Sequence, residues 1–182
     1  MLGAAERLIR DGAFHSATMD ELAAAAGVSR ATVFNRFGSK LGLLQTLFNR
    51  ATESPEMGAI HEALAIEDPV AALEALIGAA CAIWDAHGYI HEQLQAIVVL
   101  EPGASAPLEK HREQQRSDLQ GLTRRLARAD RLRPGLGEAR ATATLQMLTS
   151  LECFLSLRRQ HNLSLRQTRE TIAELARTLL RD

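Results

Sequence analysis

The chain has 182 residues, 46% of them hydrophobic and 24% charged, and a formal net charge of −1. This content supports a sizeable core and excludes wholesale disorder. The balance of charge gives no whole-chain pull toward nucleic acid or membrane, so any electrostatic argument is local.

Ala, Leu and Arg dominate and β-branched residues are sparse, which predicts an all-α fold. The first helix is expected over residues 2–11, with Ala5, Leu8 and Ile9 at helical spacing and Gly12 as its stop. A second, short helix follows Thr18. Thr18 and Glu21 form a capping box, and Gly27 supplies the positive φ that closes the helix. Ser29 caps a third helix over 30–37, whose Val33 and Phe37 face one way. Ser39 recaps, and a longer helix runs over 40–53 with Leu43, Leu44, Leu47 and Phe48 as its buried stripe.

"SPEMG" (54–58) interrupts the pattern and sets the expected boundary between a domain at 1–53 and one at 54–182. Beyond it, Asp68 caps and Pro69 opens a central helix with apolar residues on two sides, ended by Gly88. The next helix is expected to begin near Ile90 and stop at Glu101–Gly103. A long amphipathic helix over 106–131 is broken by "RPGLG". Two last helices are expected over 138–161 and 165–181, which brings the total to about nine. Ser164 and Gln167 form a second capping box.

The short helices on either side of Gly27 and Val28, residues 18–37, have the proportions of a helix-turn-helix, whose second helix can enter a DNA major groove. Ala26 and Gly27 are small enough for close helix packing. From Ser29 to Arg50 the only charged residues are Arg30, Arg36, Lys40 and Arg50. A phosphate-facing surface requires such an absence of acids. The bland reading is a helical hairpin with one polar side in water.

"TMDELAAAAGVSRATVFNRFGSKLGLL" resembles the DNA-binding unit of the tetracycline-repressor (TetR) family, with Thr18, Ala26–Ser29, Thr32, Phe34, Phe37, Ser39 and Lys40 in place. The resemblance covers about the first 50 residues. It implies a three-helix DNA-binding domain followed by a helical effector and dimerisation domain. It implies that Thr18 and Lys40 touch phosphates, that Ser29 caps the third helix and meets the backbone, that Arg30, Thr32 and Asn35 read base edges, and that Arg36 meets a phosphate. Three departures stand out. Phe34 replaces a Tyr that bonds phosphate, Leu41 and Gly42 replace acidic residues, and the sequence starts almost at the first helix, so that the basic arm many relatives carry is either missing or lies upstream of Met1.

The resemblance implies a ligand-responsive regulator, by family default a repressor. It would bind a palindromic double-stranded operator as a homodimer and be released by a small effector. Two apolar stripes on the helix over 138–161 (Ala143, Met147, Ser150, Phe154, and Ala141, Leu145, Leu148, Leu155) point to dimerisation through the last two helices. An apolar effector pocket is expected around Cys81, Trp84, Met147 and Phe154, with His87, Tyr89, His91 and Gln95 as polar anchors. For Cys81, Trp84, Met147 and Phe154 core packing is the competing reading, and for His87 and His91 it is a place on the plain surface.

His87 and His91 have a spacing that suits two metal ligands on one helix face, but a stop at Gly88 would spoil it, so no metal is expected. Cys81 and Cys153 show no Cys-x-x-Cys pattern and read as buried thiols. No cofactor is expected, and no nucleophile–base pair or phosphate loop makes an enzyme case. Without a signal peptide or an apolar run near the ~20 residues of a membrane span, the expected location is the cytoplasm. The alternative functions are a helical carrier or enzyme whose N-terminal unit is structural, and a regulator without an effector. The effector, operator, regulated genes and sign of regulation are not legible.

Overall fold

The computed structural model describes residues 1–100 and 105–181, leaving out the side chains of residues 99, 100 and 107. The described residues form ten α-helices and one π-helical turn. These are α1 (Leu2–Arg10), α2 (Met19–Ala25), α3 (Arg30–Phe37), α4 (Lys40–Thr52), α5 (Pro55–Ala65), α6 (Pro69–Leu100), α7 (Ala106–Arg128), α8 (Glu138–Leu148), α9 (Leu151–Leu155), the π turn Ser156–Gln160, and α10 (Leu165–Arg177). The chain divides into two compact units. Unit 1 joins Met1–Ser54 to His87–Glu109, and unit 2 joins Pro55–Ala86 to Lys110–Asp182. The division is therefore not linear in sequence.

Unit 1 is built on short, well-capped helices. The Thr18 hydroxyl accepts from the Glu21 N–H while the Glu21 carboxylate accepts from the Thr18 N–H, closing the expected capping box. Ser29 and Ser39 cap α3 and α4 through Thr32 N–H and Gly42 N–H. Gly27 adopts a φ of 66°, the left-handed conformation needed between α2 and α3. The unit's core joins Phe14, Leu22, Val33, Phe37, Leu43, Leu44 and Leu47 with Ile90, Leu94 and Leu108.

In unit 2, Leu73, Leu76, Ile77 and Cys81 of α6 pack with Leu119, Leu122 and Leu126 of α7. Leu145 and Leu148 of α8 and Ile172 and Ala176 of α10 complete that core. The C-terminus is strapped down by a bridge between Leu132 and Leu180. There the Arg133 N–H donates to Leu179 O and the Arg181 N–H donates to Arg131 O, both at 2.9 Å.

Three elements differ from the sequence expectation. Gly88 does not end a helix: α6 runs on through it for 32 residues in all, and Gly88 is buried. The roughly 1 kcal/mol that Gly costs in a helix is small beside the burial of Ile83, Ile90 and Leu94 around it. The uninterrupted helix is consequently long and apolar enough over Pro69–Val98 to match a membrane span. It also carries Glu74, Asp85 and Glu92, and its Leu73, Ile77 and Leu94 are buried in protein.

Second, "SPEMG" opens α5 rather than breaking the chain. Pro55 takes the first helical position, where its missing N–H is no loss, and Glu56 favours the positive end of the helix dipole. Third, the helix expected over 138–161 breaks at Thr149–Ser150. Ser150 recaps α9 through the Cys153 N–H, and the Trp84 indole N–H donates to Thr149 O at 2.8 Å.

Arg125 of α7 ties down the end of α5. Its guanidinium donates to Leu64 O at 2.7 Å, to Glu67 O at 3.0 Å and to Ile66 O. These carbonyls lie at or past the helix end and lack helical partners. Replacing Arg125 with Met is expected to lower the unfolding free energy by about 2 kcal/mol, the scale of hydrogen bonds from a charged donor. Exposed Arg124→Met is expected to stay within about 0.5 kcal/mol. Urea denaturation of both variants checks the contrast.

Candidate nucleic-acid interface

The polar face of α3 follows from its apolar one. Val33 and Phe37 are buried at 2% and 9% exposure, four residues apart, so they fix the rotation of the helix. Arg30, Ala31, Thr32, Phe34, Asn35 and Arg36 are all exposed as a result. Phe34 is 58% exposed, an uncommon amount for a large apolar side chain.

The sequence-predicted residues divide by what holds them. The side chains of Thr18 and Ser29 are engaged in caps, and Ser29 Oγ also lies 2.8 Å from Thr32 Oγ1. These three therefore shape the ends of α2 and α3. Arg30 Nη1 lies 3.4 Å from the Asp20 carboxylate, with both side chains about two-thirds exposed. Such a pair contributes little and exchanges readily for another anion. Arg36 and Asn35 are exposed on the same helix, and the Arg36 guanidinium lies 5.8 Å from the Phe37 ring centroid.

Lys40 is engaged inside the unit. Its ammonium donates to His15 O at 2.7 Å and to Ala17 O at 2.9 Å, and it sits 5.0 Å from the centre of the Phe14 ring. Burial pushes its pKa below the ordinary lysine value, while nearby Glu21 pulls the other way. The Lys40 side chain thus clamps the segment between α1 and α2, and through it the entry to the Thr18 cap.

Sequence reasoning passed over Gly42 except as a weak capping position. A Cβ there would overlap the Phe37 carbonyl oxygen at the end of α3. Gly42 lets α4 start directly under α3, and the signal was the glycine standing in the first turn of a helix.

The residues predicted to form an effector pocket are distributed over both units. In unit 1, His91 is buried with its ring 6.0 Å from that of Phe48, and Tyr89 is half-buried beneath the Arg10 guanidinium at 3.9 Å. Burial raises the Tyr89 pKa. His87 and Gln95 are half-buried. Because α6 is continuous, His87 and His91 do stand one turn apart on one helix. Among the described residues, no group of three or more metal-ligating side chains comes together. In unit 2, Cys81 and Phe154 are 3% exposed, and burial pushes the Cys81 thiol up to about 11. Trp84 is half-buried and hydrogen-bonded to Thr149 O, and Met147 is 61% exposed on the outward side of α8.

Residues 1–47 match the family model of bacterial regulatory proteins of the tetR family. No match is found among curated proteins. Solved structures resemble the chain over its full length. PfmR of Thermus thermophilus, a TetR family transcriptional regulator, superposes with a TM-score of 0.79 at 22% identity, covering 100% of this chain and 98% of its own. NalD, the secondary repressor of the MexAB-OprM multidrug efflux pump in Pseudomonas aeruginosa, gives 0.74 at 24% identity, covering 100% and 94%. AibR, solved with isovaleryl coenzyme A and operator DNA, gives 0.74 at 17% identity, covering 98% and 96%.

The clamp and the exposed face respond differently to substitution. Lys40→Met is expected to lower stability; an unchanged salt slope of duplex binding marks Lys40 as a clamp only, and a slope reduced by about 0.9 marks a phosphate contact as well. Arg36→Ala is expected to reduce that slope by about 0.9, one counterion's worth. Binding titrations between about 50 and 200 mM salt separate the two.

Proposed function

Starting from a first 47 residues that match the tetR-family model and a whole chain that shares the fold of such regulators, we propose that this protein is a DNA-binding transcriptional regulator. The observation that carries the reading is the exposed, acid-free face of α3, held by buried Val33 and Phe37. Arg30, Thr32 and Asn35 read base edges in the major groove, and Arg30 leaves Asp20 to do so. Arg36 neutralises a phosphate. Thr18 and Ser29 meet the backbone from their caps. Lys40 acts by positioning the segment between α1 and α2.

The regulator works as a homodimer that places two copies of α3 in successive major grooves of a palindromic operator, ~34–36 Å apart. The dimer forms through α8 and α10, on the sides that carry Met147, Leu165 and Leu175. Met147 is 61%, Leu175 47% and Leu165 36% exposed, while Leu145, Leu148 and Ile172 on the opposite sides fill the core of unit 2. The protein is a repressor acting in the cytoplasm, with no catalytic step. A small apolar effector bound beside Trp84 favours a second conformation and releases the DNA. The indole bond to Thr149 O, at the break between α8 and α9, is the contact that such a ligand would perturb.

Fluorescence anisotropy with duplexes from the upstream region of the protein's own gene tests the reading. Saturable binding at least about 100-fold tighter than to random duplex is expected. Equal affinity for both would leave the helical carrier or enzyme as the better account. Phe34→Tyr is expected to tighten binding to every duplex by about 1 kcal/mol, by adding a hydroxyl for a phosphate. Met147→Glu or Leu175→Glu is expected to give folded monomers with weakened operator binding, whereas Leu148→Glu unfolds the chain. Sedimentation and circular dichroism distinguish these outcomes.

A further inference from the structure

We infer that a cleft between α7 and α8 binds a small organic anion carrying two acidic groups. The cleft measures about 500 Å³ and lies within unit 2. That volume suits a small molecule. One wall is the ridge Arg116, Gln120 and Arg124, spaced four residues apart on α7. The other comprises Ala139, Thr142, Ala143 and Gln146 of α8, with Glu138 at its end.

The two arginines are what point to an anion. Among the described residues neither guanidinium has a hydrogen bond or an ion pair. Within unit 2, Arg158, Arg166, Arg177 and Arg181 have carboxylate partners, while Arg112, Arg128, Arg131, Arg133 and Arg140 lack one among the described residues; Arg116 and Arg124 are the unpaired arginines that line the cleft. The surroundings reinforce this charge. Residues 116–146 hold seven arginines against Asp118, Asp130 and Glu138, in a chain whose net charge is −1. Asp130 is itself paired with Arg181.

The guanidinium is a planar fork that takes a carboxylate or phosphate through two parallel hydrogen bonds. Arg116 and Arg124 are separated by about 12 Å of helix, at ~1.5 Å per residue. One acidic group at each end of an elongated molecule satisfies both. Between them, the short side chains of Ala139 and Ala143 leave room for the molecule's body. The floor is polar and already satisfied. Thr123 and Thr142 are 0% and 7% exposed, their hydroxyls 2.7 Å apart, and Thr142 donates to Glu138 O. The floor thus demands no ligand of its own, and recruitment falls to the arginines.

A small molecule fits this site better than nucleic acid. The surface is concave, and Glu138 opposes a continuous polyanion lying across it. Carboxylates and phosphates share the chemistry that the arginines recognise, so both are tested.

The experiment is calorimetric titration of the full chain at about 150 mM salt, near physiological ionic strength, with adipate, with butane-1,4-bisphosphonate, which has the same spacer, and with the neutral diamide of adipate. Saturable one-site binding of adipate or the bisphosphonate is expected, with none of the diamide. Which of the two binds identifies the acidic group. Arg116→Gln and Arg124→Gln are each expected to weaken binding at least about 10-fold, the scale of a charged hydrogen bond, and the double variant to abolish it. Arg128→Gln, on the same helix outside the cleft, should leave it unchanged. Ala139→Leu fills the cleft without altering charge and is expected to block binding, with circular dichroism verifying its fold. No binding of either anion overturns the proposal. So does equal weakening by Arg128→Gln, which marks diffuse attraction only. If the arginine variants weaken duplex DNA and leave the small anions unaffected, the surface serves nucleic acid and the proposal is likewise wrong. These readouts do not depend on operator binding through α3.

Discussion

An eight-residue helix does not hold itself in water, because nucleation costs more than two turns of hydrogen bonds return. The helix α3 is that short, and everything proposed for unit 1 depends on keeping it in place. Two side chains and two caps do so. Val33 and Phe37 are buried in a core shared with Leu22, Leu43 and Leu44. Ser29 closes the N-terminus, and Gly38 leaves the C-terminus at a φ of 70° so that Ser39 can start α4 at once. Of the outward residues Thr32 joins the cap, its hydroxyl 2.8 Å from Ser29 Oγ, and the others leave their chemistry free for binding.

Unit 1 was legible in the sequence for the same reason. Its helix ends are determined by local chemistry, a side chain within three residues of the N–H it satisfies, as at Thr18, Ser29 and Ser39. Those positions predict α2, α3 and α4 to within a residue or two. Unit 2 was less legible because its decisive contacts are distant. The break at Thr149 is met by an indole 65 residues away, and the end of α5 by an arginine 61 residues from Leu64. Gly88 misleads as a stop because the sequence does not say that it is buried. Lys40 was legible only in part: its residue type suits a phosphate, and only the fold reveals the carbonyls of His15 and Ala17 beside it.

Lysine and arginine are used for different tasks in this chain. The sequence has only two lysines, Lys40 and Lys110, among 21 basic residues. An ammonium is compact, with three donors around one atom, and it fits between two backbone carbonyls above an aromatic ring. That is the setting of Lys40, whereas the broader guanidinium fork suits carboxylates, phosphates and base edges. Arginine accordingly stands beside Asp20, Asp85 and Glu74, where a carboxylate is already held. It also stands, without a partner among the described residues, at Arg116 and Arg124.

The net charge of −1 conceals this arrangement. Fields from exposed charges decay over about 8 Å at physiological ionic strength, so a ligand responds to its local surface. The stretch from Ser29 to Arg50 is basic without an acid, and residues 116–146 are basic with three acids, one of them already paired. On α3 the flanking Asp20 is close enough to hold Arg30 and exposed enough to give it up. That favours an exchange of partners over a permanent bond. At the cleft between α7 and α8 no acid among the described residues holds the arginines, so a ligand breaks no ion pair there. In the proposed reading role an exchanging site discriminates, because a wrong base offers Arg30 less than Asp20 does. An unpaired site captures whatever anion fits the space between its arginines.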